Sequence, residues 1–175
     1  MKELFEKQAE FNELVIENLC KRTEMDIKHS QFVNEDLLAV MVEVGEFIAE
    51  KDHELKKIEY ADILISLMNC GLSLEISKCM TKKNILIVYA QATKNIYADA
   101  ILTFNVVFSE FCNSVSSFKY WKKSKEIRNN AKIIYYDCFV ALFGIAKMMG
   151  YSIEEIKESY EVKNKINYER QQRGY

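Results

Sequence analysis

Residues 37–50, LLAVMVEVGEFIAE, and residues 56–69, KKIEYADILISLMN, decide how this chain is read. Each joins an apolar helical period to a pair of acids spaced i, i+3: Glu43 with Glu46, then Glu59 with Asp62. Residues three apart share one face of a helix, with Cβ atoms about 5–6 Å apart. Four carboxylates gathered on such faces repel one another and resist burial. A bound cation is the usual reason to keep them, and an all-oxygen set suits Mg²⁺ or Mn²⁺ rather than zinc. The competing reading is a pair of solvated faces, laced by salt bridges to Lys51 and Lys57. Against it, Glu43 and Glu46 are flanked by Leu38, Val40, Met41, Val42, Val44, Phe47 and Ile48, which leaves little face for solvent.

Outward from these two segments the helical pattern continues. The 175 residues contain no proline and only five glycines. Both residue types break helices, so an all-α fold, a compact helical bundle, is expected. The length suits a single domain, with residues 1–80 as a metal-binding half and 81–175 as a second half. Helices are expected over 2–24, from Asn34 as N-cap to about Ala49, and over roughly 57–76. Beyond Thr81, a candidate cap, the chain to about residue 115 reads as one long helix or two. A further helix is expected near 128–149. Gly150 reads as its stop, and Ser152 with Glu155 as a capping box opening the last helix, to about Gln171.

Composition excludes several function classes. A net charge of −2 gives no support to a nucleic-acid surface. No apolar run approaches the ~20 residues needed to cross a bilayer. The opening MKELFEKQAEFNEL is too acidic and too amphipathic for a signal peptide, so a cytoplasmic protein is expected. Cys20, Cys70, Cys79, Cys112 and Cys138 form no CxxC pair and read as reduced thiols. His29 and His53 are isolated, lack ligand spacing, and read as surface residues.

The two halves also resemble each other. VVFSEFCN (106–113) is similar to VMVEVGEFIAE (40–50), with Glu110 falling where Glu46 falls. YYDCFVALFGIAKMMGYSIEEI, from Tyr135, is similar to YADILISLMNCGLSLEI, from Tyr60, with Asp137 in the place of Asp62. Val107 and Ile134 stand where Glu43 and Glu59 stand, so the second copy keeps half of the acids.

The tail discriminates between the readings of the acids. The chain closes on YEVKNKINYERQQRGY. This resembles the closing motif of the all-α dimeric dUTPases, KNxxNxxRQxxGY, at every fixed position: Lys163, Asn164, Asn167, Arg170, Gln171, Gly174 and Tyr175. The start, LFEKQAEFN, is similar to that family's first motif, with Gln8 and Asn12 in place. The family belongs to a wider MazG-like group of all-α nucleoside triphosphate pyrophosphatases that share the ExxE…ExxD centre. Independently of the resemblance, Lys163, Asn167 and Arg170 are spaced i, i+4, i+7 and would line one helical face, as a polyanion requires. Arginine forks onto phosphate oxygens and lysine offers a point charge.

The resemblance implies a homodimeric enzyme that hydrolyses dUTP to dUMP and pyrophosphate. By it, Glu43, Glu46, Glu59 and Asp62 hold Mg²⁺, with Mn²⁺ as a substitute. Glu46, supported by Glu43, orients or deprotonates the attacking water, and Glu50 is a weaker candidate. Lys163, Asn167, Arg170 and Tyr175 bind phosphates, while Gln8 and Asn12 read the uracil edge with their amides.

Two features depart from the family pattern. Its aromatic-basic segment usually lies between the two acidic pairs; here Phe118-Lys119-Tyr120-Trp121-Lys122-Lys123 follows the second acidic helix instead. Trp121 reaches the nucleotide from there, contacts the partner subunit's site, or is simply core. The family's His-Phe pair after the last acid is replaced by Ile65 and Ser66, which puts substrate choice in question. The alternatives are a pyrophosphatase for another nucleoside triphosphate, or a non-catalytic helical interaction protein on the same scaffold.

Overall fold

The computed structural model describes residues 1–92, 97–115 and 127–174. Among them every regular element is helical, as the scarcity of helix breakers implies. The elements are α1 (Lys2–Thr23), a 3-10 turn (His29–Phe32), α2 (Val33–Ala49), α3 (His53–Ser73), α4 (Lys78–Thr81), α5 (Ile85–Gln91), α6 (Tyr97–Ser114), α7 (Ile127–Met149) and α8 (Ile153–Gln172). They form two compact units. One comprises Lys2–Ser77 together with Glu154–Tyr175, and the other Met1 with Lys78–Ile153.

In the first unit α3 is the central helix. It buries every residue from Tyr60 to Met68, which is the mark of a helix surrounded by others. Asp52 starts it by accepting from the backbone N–H groups of Glu54 and Leu55, at 2.9 and 3.0 Å. α2 lies antiparallel to α3: Asp36 meets Ser73 at one end, and Glu46 faces Asp62 at the other. Its buried spine is Val33, Leu37, Val40, Val44 and Phe47, with Phe47 edge-on to Tyr60 at 6.4 Å. Full burial of a side chain such as Phe47 contributes about 2–3 kcal/mol. α8 runs parallel to α3, pinned by Lys57–Glu155 at 2.9 Å and Lys163–Asp62 at 2.5 Å. α1 joins α8 through Lys7–Glu161 and through the Phe11–Tyr168 ring pair, 5.0 Å between centroids.

The second unit is built on an α6/α7 hairpin with α5 against α7. Phe111 meets Tyr135 at 5.3 Å, Tyr135 meets Phe139 at 5.1 Å, and Tyr89 meets Phe143 at 5.9 Å. Gly150 ends α7 with φ +80°, and the Tyr151 N–H donates back to the Ala146 carbonyl at 2.9 Å. That left-handed turn is the reason for glycine there. Among the described residues no single helix is long and apolar enough to cross a membrane.

Several local expectations are corrected. Asn34 does not cap α2; the 3-10 turn, opened by the Lys28 N–H donating to Gln31 Oε1 at 2.8 Å, runs straight into the helix before it. Asn84, not Thr81, caps α5, accepting from the Leu86 N–H at 2.9 Å. Of the two forms expected for the stretch after it, the two-helix form is the one found, as α5 and α6. The apolar residues around Glu43 do not all turn inward: Leu38, Met41, Val42 and Ile48 are exposed, because the α2 spine alone meets the core.

Candidate active site

The first-half acids converge. One carboxylate oxygen each from Glu43, Glu46 and Glu59 lies within 4.8 Å of the others. Two turns of antiparallel helix produce this, since α2 presents Glu43 and Glu46 to the face of α3 that carries Glu59 and Asp62. Glu43 and Glu59 are half-buried and Glu46 is exposed. Burial, with Asp62 and Glu46 beside it, pushes the Glu43 carboxyl up to about 7. Burial, then the charge of Asp62, raises Glu59 as well. Glu59 Oε2 is buried with no hydrogen-bond partner among the described residues. A buried carboxylate oxygen without a donor is costly, and an all-carboxylate set with one orphaned oxygen fits a hard divalent cation.

Asp62 stands apart from the other three. Its carboxylate accepts from Lys163 Nζ at 2.5 Å, and the two side chains are 9% and 14% exposed. Burial raises the Asp62 carboxyl, while Lys163 and, less strongly, Arg170 pull it down. Glu50 is engaged in the α2–α3 turn: its Oε1 accepts from the Lys51 and Asp52 N–H groups, at 2.6 and 2.8 Å. Lys57, which a salt-bridge reading would set against the acids, is held by Glu54 and Glu155 instead.

Along the same faces, toward the open end of the α2/α3 pair, lies a cleft of about 490 Å³. Phe11, Val15, Leu19 and Phe32 give it apolar walls, and Asn12, His29, Asp36, Asn69, Asn167 and Arg170 add polar groups. Beneath it runs a chain of buried amides. The Tyr160 hydroxyl, with one hydrogen to give, lies 3.2 Å from the Leu4 carbonyl oxygen and 3.4 Å from Gln8 Oε1. Gln8 Nε2 donates to Asn12 Oδ1 at 3.0 Å, and Asn12 Nδ2 donates to Asn69 Oδ1 at 3.0 Å. His29 Nε2 sits 3.3 Å from Asn12 Nδ2 and 3.2 Å from Ser73 Oγ, while Ser73 donates to Asp36. Burial lowers the pKa of His29, against the pull of Asp36, and raises that of Asp36.

Of the residues singled out in the sequence, Asn12, Asn167 and Arg170 line this cleft and Lys163 faces the acids. Gln8 is 1% exposed and lies behind Asn12 rather than at the cleft wall. Trp121 and Tyr175 fall outside the described residues. His29 is not a surface residue: the 3-10 turn carries it into the polar network. His53 is exposed, as expected. Asn69 is the other residue the sequence reading missed. Its signal was available, since it continues the Glu59–Asp62 face two helical turns on.

The second hairpin keeps a trace of the same arrangement. Glu110 is close enough to Asp137 to add to the effect of burial in raising its carboxyl. Where the first hairpin has acids and amides, this one has a shallow cavity of about 190 Å³ lined by Ala100, Thr103, Val107, Asp137, Val140, Ala141 and Gly144.

An all-α chain that sets clustered carboxylates beside a lysine and an arginine has the chemistry to hold a cation together with a polyanion. A family model described as dUTPase matches the chain twice, over residues 82–140 and 126–175, together more than half of its length. The chain belongs to the all-α dUTPase family. The second match includes Lys163, Asn167 and Arg170, and two overlapping matches fit an internal duplication. No curated protein and no solved structure matches the chain.

Proposed function

We propose that the chain hydrolyses dUTP to dUMP and pyrophosphate, with Mg²⁺ held by Glu43, Glu46, Glu59 and Asp62. The observation that carries this is the convergence of three carboxylates, one with an orphaned buried oxygen, beside Lys163. Mg²⁺ bound there would supply charge to the triphosphate and lower the pKa of a water at neutral pH. The protein's own part is positioning. Arg170 and Asn167, at the cleft and one to two turns from Lys163, would take phosphate oxygens by charge-assisted hydrogen bonds. Exposed Glu46 is the carboxylate best placed to receive a proton from water, and half-buried Glu43 supports it. The apolar walls of the cleft would shelter the base. The family resemblance further implies a homodimer, which the mass in solution tests.

The test is pyrophosphate release from dUTP with and without Mg²⁺, beside dCTP, dTTP and UTP. Metal-dependent release from dUTP above the others is expected. Release from another nucleotide in preference would move the assignment to a sister pyrophosphatase, a reading favoured by buried Ile65 and Ser66 at the family's His-Phe positions. No release from any nucleotide, in a folded sample, would leave an interaction protein.

A further inference from the structure

We propose that the outer face of α2 is the two-fold contact between two copies of this chain, with the two helices passing closely at Gly45 and Ala49. It rests on the homodimer named above, for which it supplies the surface, and is independent of which nucleotide is hydrolysed.

This face has the wrong chemistry for water. At 3.6 residues per turn, Leu38, Met41, Val42, Gly45, Ile48 and Ala49 fall within an arc of about 120°. That arc lies on the far side of α2 from its buried spine of Val40, Val44 and Phe47. Leu38 is 58% exposed, Met41 45%, Val42 55% and Ile48 46%, and Gly45 and Ala49 are exposed as well. Of the exposed residues from Leu38 to Ala49, only Glu46, at the edge of the arc, is charged.

Gly45 is the sharper signal. It sits inside a helix without a left-handed φ, and a Cβ placed on it would meet no described atom within 4 Å. Glycine weakens a helix interior relative to alanine, and nothing within the chain requires it here. With Ala49 one turn on, it leaves a flat strip where a second helix can approach. The duplicated helix supplies a comparison. Counting from Glu46 to Glu110, α6 exposes Leu102 and Val106 where α2 exposes Leu38 and Val42. It has Asn105, Ser109 and Asn113 where α2 has Met41, Gly45 and Ala49. The hairpin therefore does not demand an apolar outer face with a glycine at its centre.

The face is also self-complementary. In an antiparallel pairing about a two-fold axis that passes between Glu43 and Val44, Leu38 of each copy lies over Ala49 of the other, and Val42 over Gly45. With about half of each large side chain in solvent, the stripe offers roughly 400 Å² of apolar surface per copy, the size of the largest patch on an ordinary monomer. Two such stripes, with polar rims forming about a third of the contact, bury roughly 1,200 Å², the lower bound for a specific interface. A second copy is the occupant because an isologous contact matches apolar to apolar, and the arc itself carries no charge to select a different partner.

Dimer dissociation is measured by sedimentation equilibrium of the full chain, on the wild type, Gly45→Ala, Gly45→Leu, Val42→Asn and, on α6, Val106→Asn. All three positions are exposed, so the fold tolerates the changes. The wild type is expected to dimerise. Gly45→Leu and Val42→Asn should raise the dissociation constant about 10-fold or more, and Val106→Asn by less than about 2-fold. Gly45→Ala has two effects of opposite sign. The added methyl favours the helix, so the monomer, melted well below the dissociation constant, should gain about 2 °C. The same methyl holds the paired helices apart and should weaken the dimer about 10-fold. Gly45 and Val42 variants that dimerise like the wild type overturn the proposal, as does a dimer lost through Val106→Asn alone. A wild type that stays monomeric at its highest soluble concentration overturns both this surface and the homodimer. Pyrophosphate release from dUTP tests the enzymatic reading separately.

Discussion

Glu43→Gln should make the metal-free protein more stable above neutral pH while weakening its hold on Mg²⁺. In the folded chain burial, Asp62 and Glu46 push the Glu43 carboxyl up to about 7, against 4.5 for a free glutamate. Between these values the folded state holds a proton that the unfolded chain has released. Stability therefore falls as pH rises through this window and stays low above about 7. The full separation corresponds to about 3 kcal/mol. Glu43 is half-exposed, so solvent screening reduces this to about 1.5 kcal/mol. In a chain of this size that is about 3–6 °C of melting temperature. The assay is thermal unfolding of wild type and Glu43→Gln in EDTA at pH 5 and pH 8, read as a difference between the two proteins so that His29, whose lowered pKa acts in the opposite direction, cancels. The variant should gain those few degrees on the wild type at pH 8 and little at pH 5. With Mg²⁺ the order should reverse, as the wild type gains binding energy that the variant lacks. A wild type that gains on the variant as pH rises without metal would refute the reasoning.

Lys163→Met leaves Asp62 as a nearly buried carboxylate without its cation, so a loss of about 3–5 kcal/mol is expected in urea unfolding without metal. Mg²⁺ should restore part of it. Glu46→Gln touches an exposed side chain, and its melting temperature should stay close to wild type while pyrophosphate release from dUTP falls by about 100-fold or more. Asp52→Ala removes the cap of α3 and should cost about 1 kcal/mol in denaturant unfolding, with no change in base preference.

The acids and the tail were legible in the sequence because helical spacing is a local property. Glu43 with Glu46 and Glu59 with Asp62 had to share faces once their segments were helices. Lys163, Asn167 and Arg170 followed in the same way. The Lys163–Asp62 pair was not legible, since it depends on how two helices remote in sequence are docked. His29 was misread because nothing local distinguishes a histidine on a 3-10 turn from one on a loop; its partners Asn12 and Ser73 come from α1 and α3. Gln8 was read as facing a ligand when it faces the core, a matter of one helical face against another in the packed unit. The cap of α5 was misplaced because Thr81 and Asn84 are both good capping residues, and the choice depends on where α4 stops.

The interleaved order of the two units has a consequence for how the chain is made. Residues 78–153 leave the ribosome between the two parts of the other unit, and α8 follows them. Until α8 arrives, Asp62 has no Lys163 and Gln8 has no Tyr160, so α1, α2 and α3 wait with bare charge and unmatched amides at their centre. The acidic centre is therefore among the last parts of the molecule to reach its working form. A nascent chain stalled after α7 holds acids that cannot yet share a site with the basic face of α8, and Lys57 in turn still lacks Glu155.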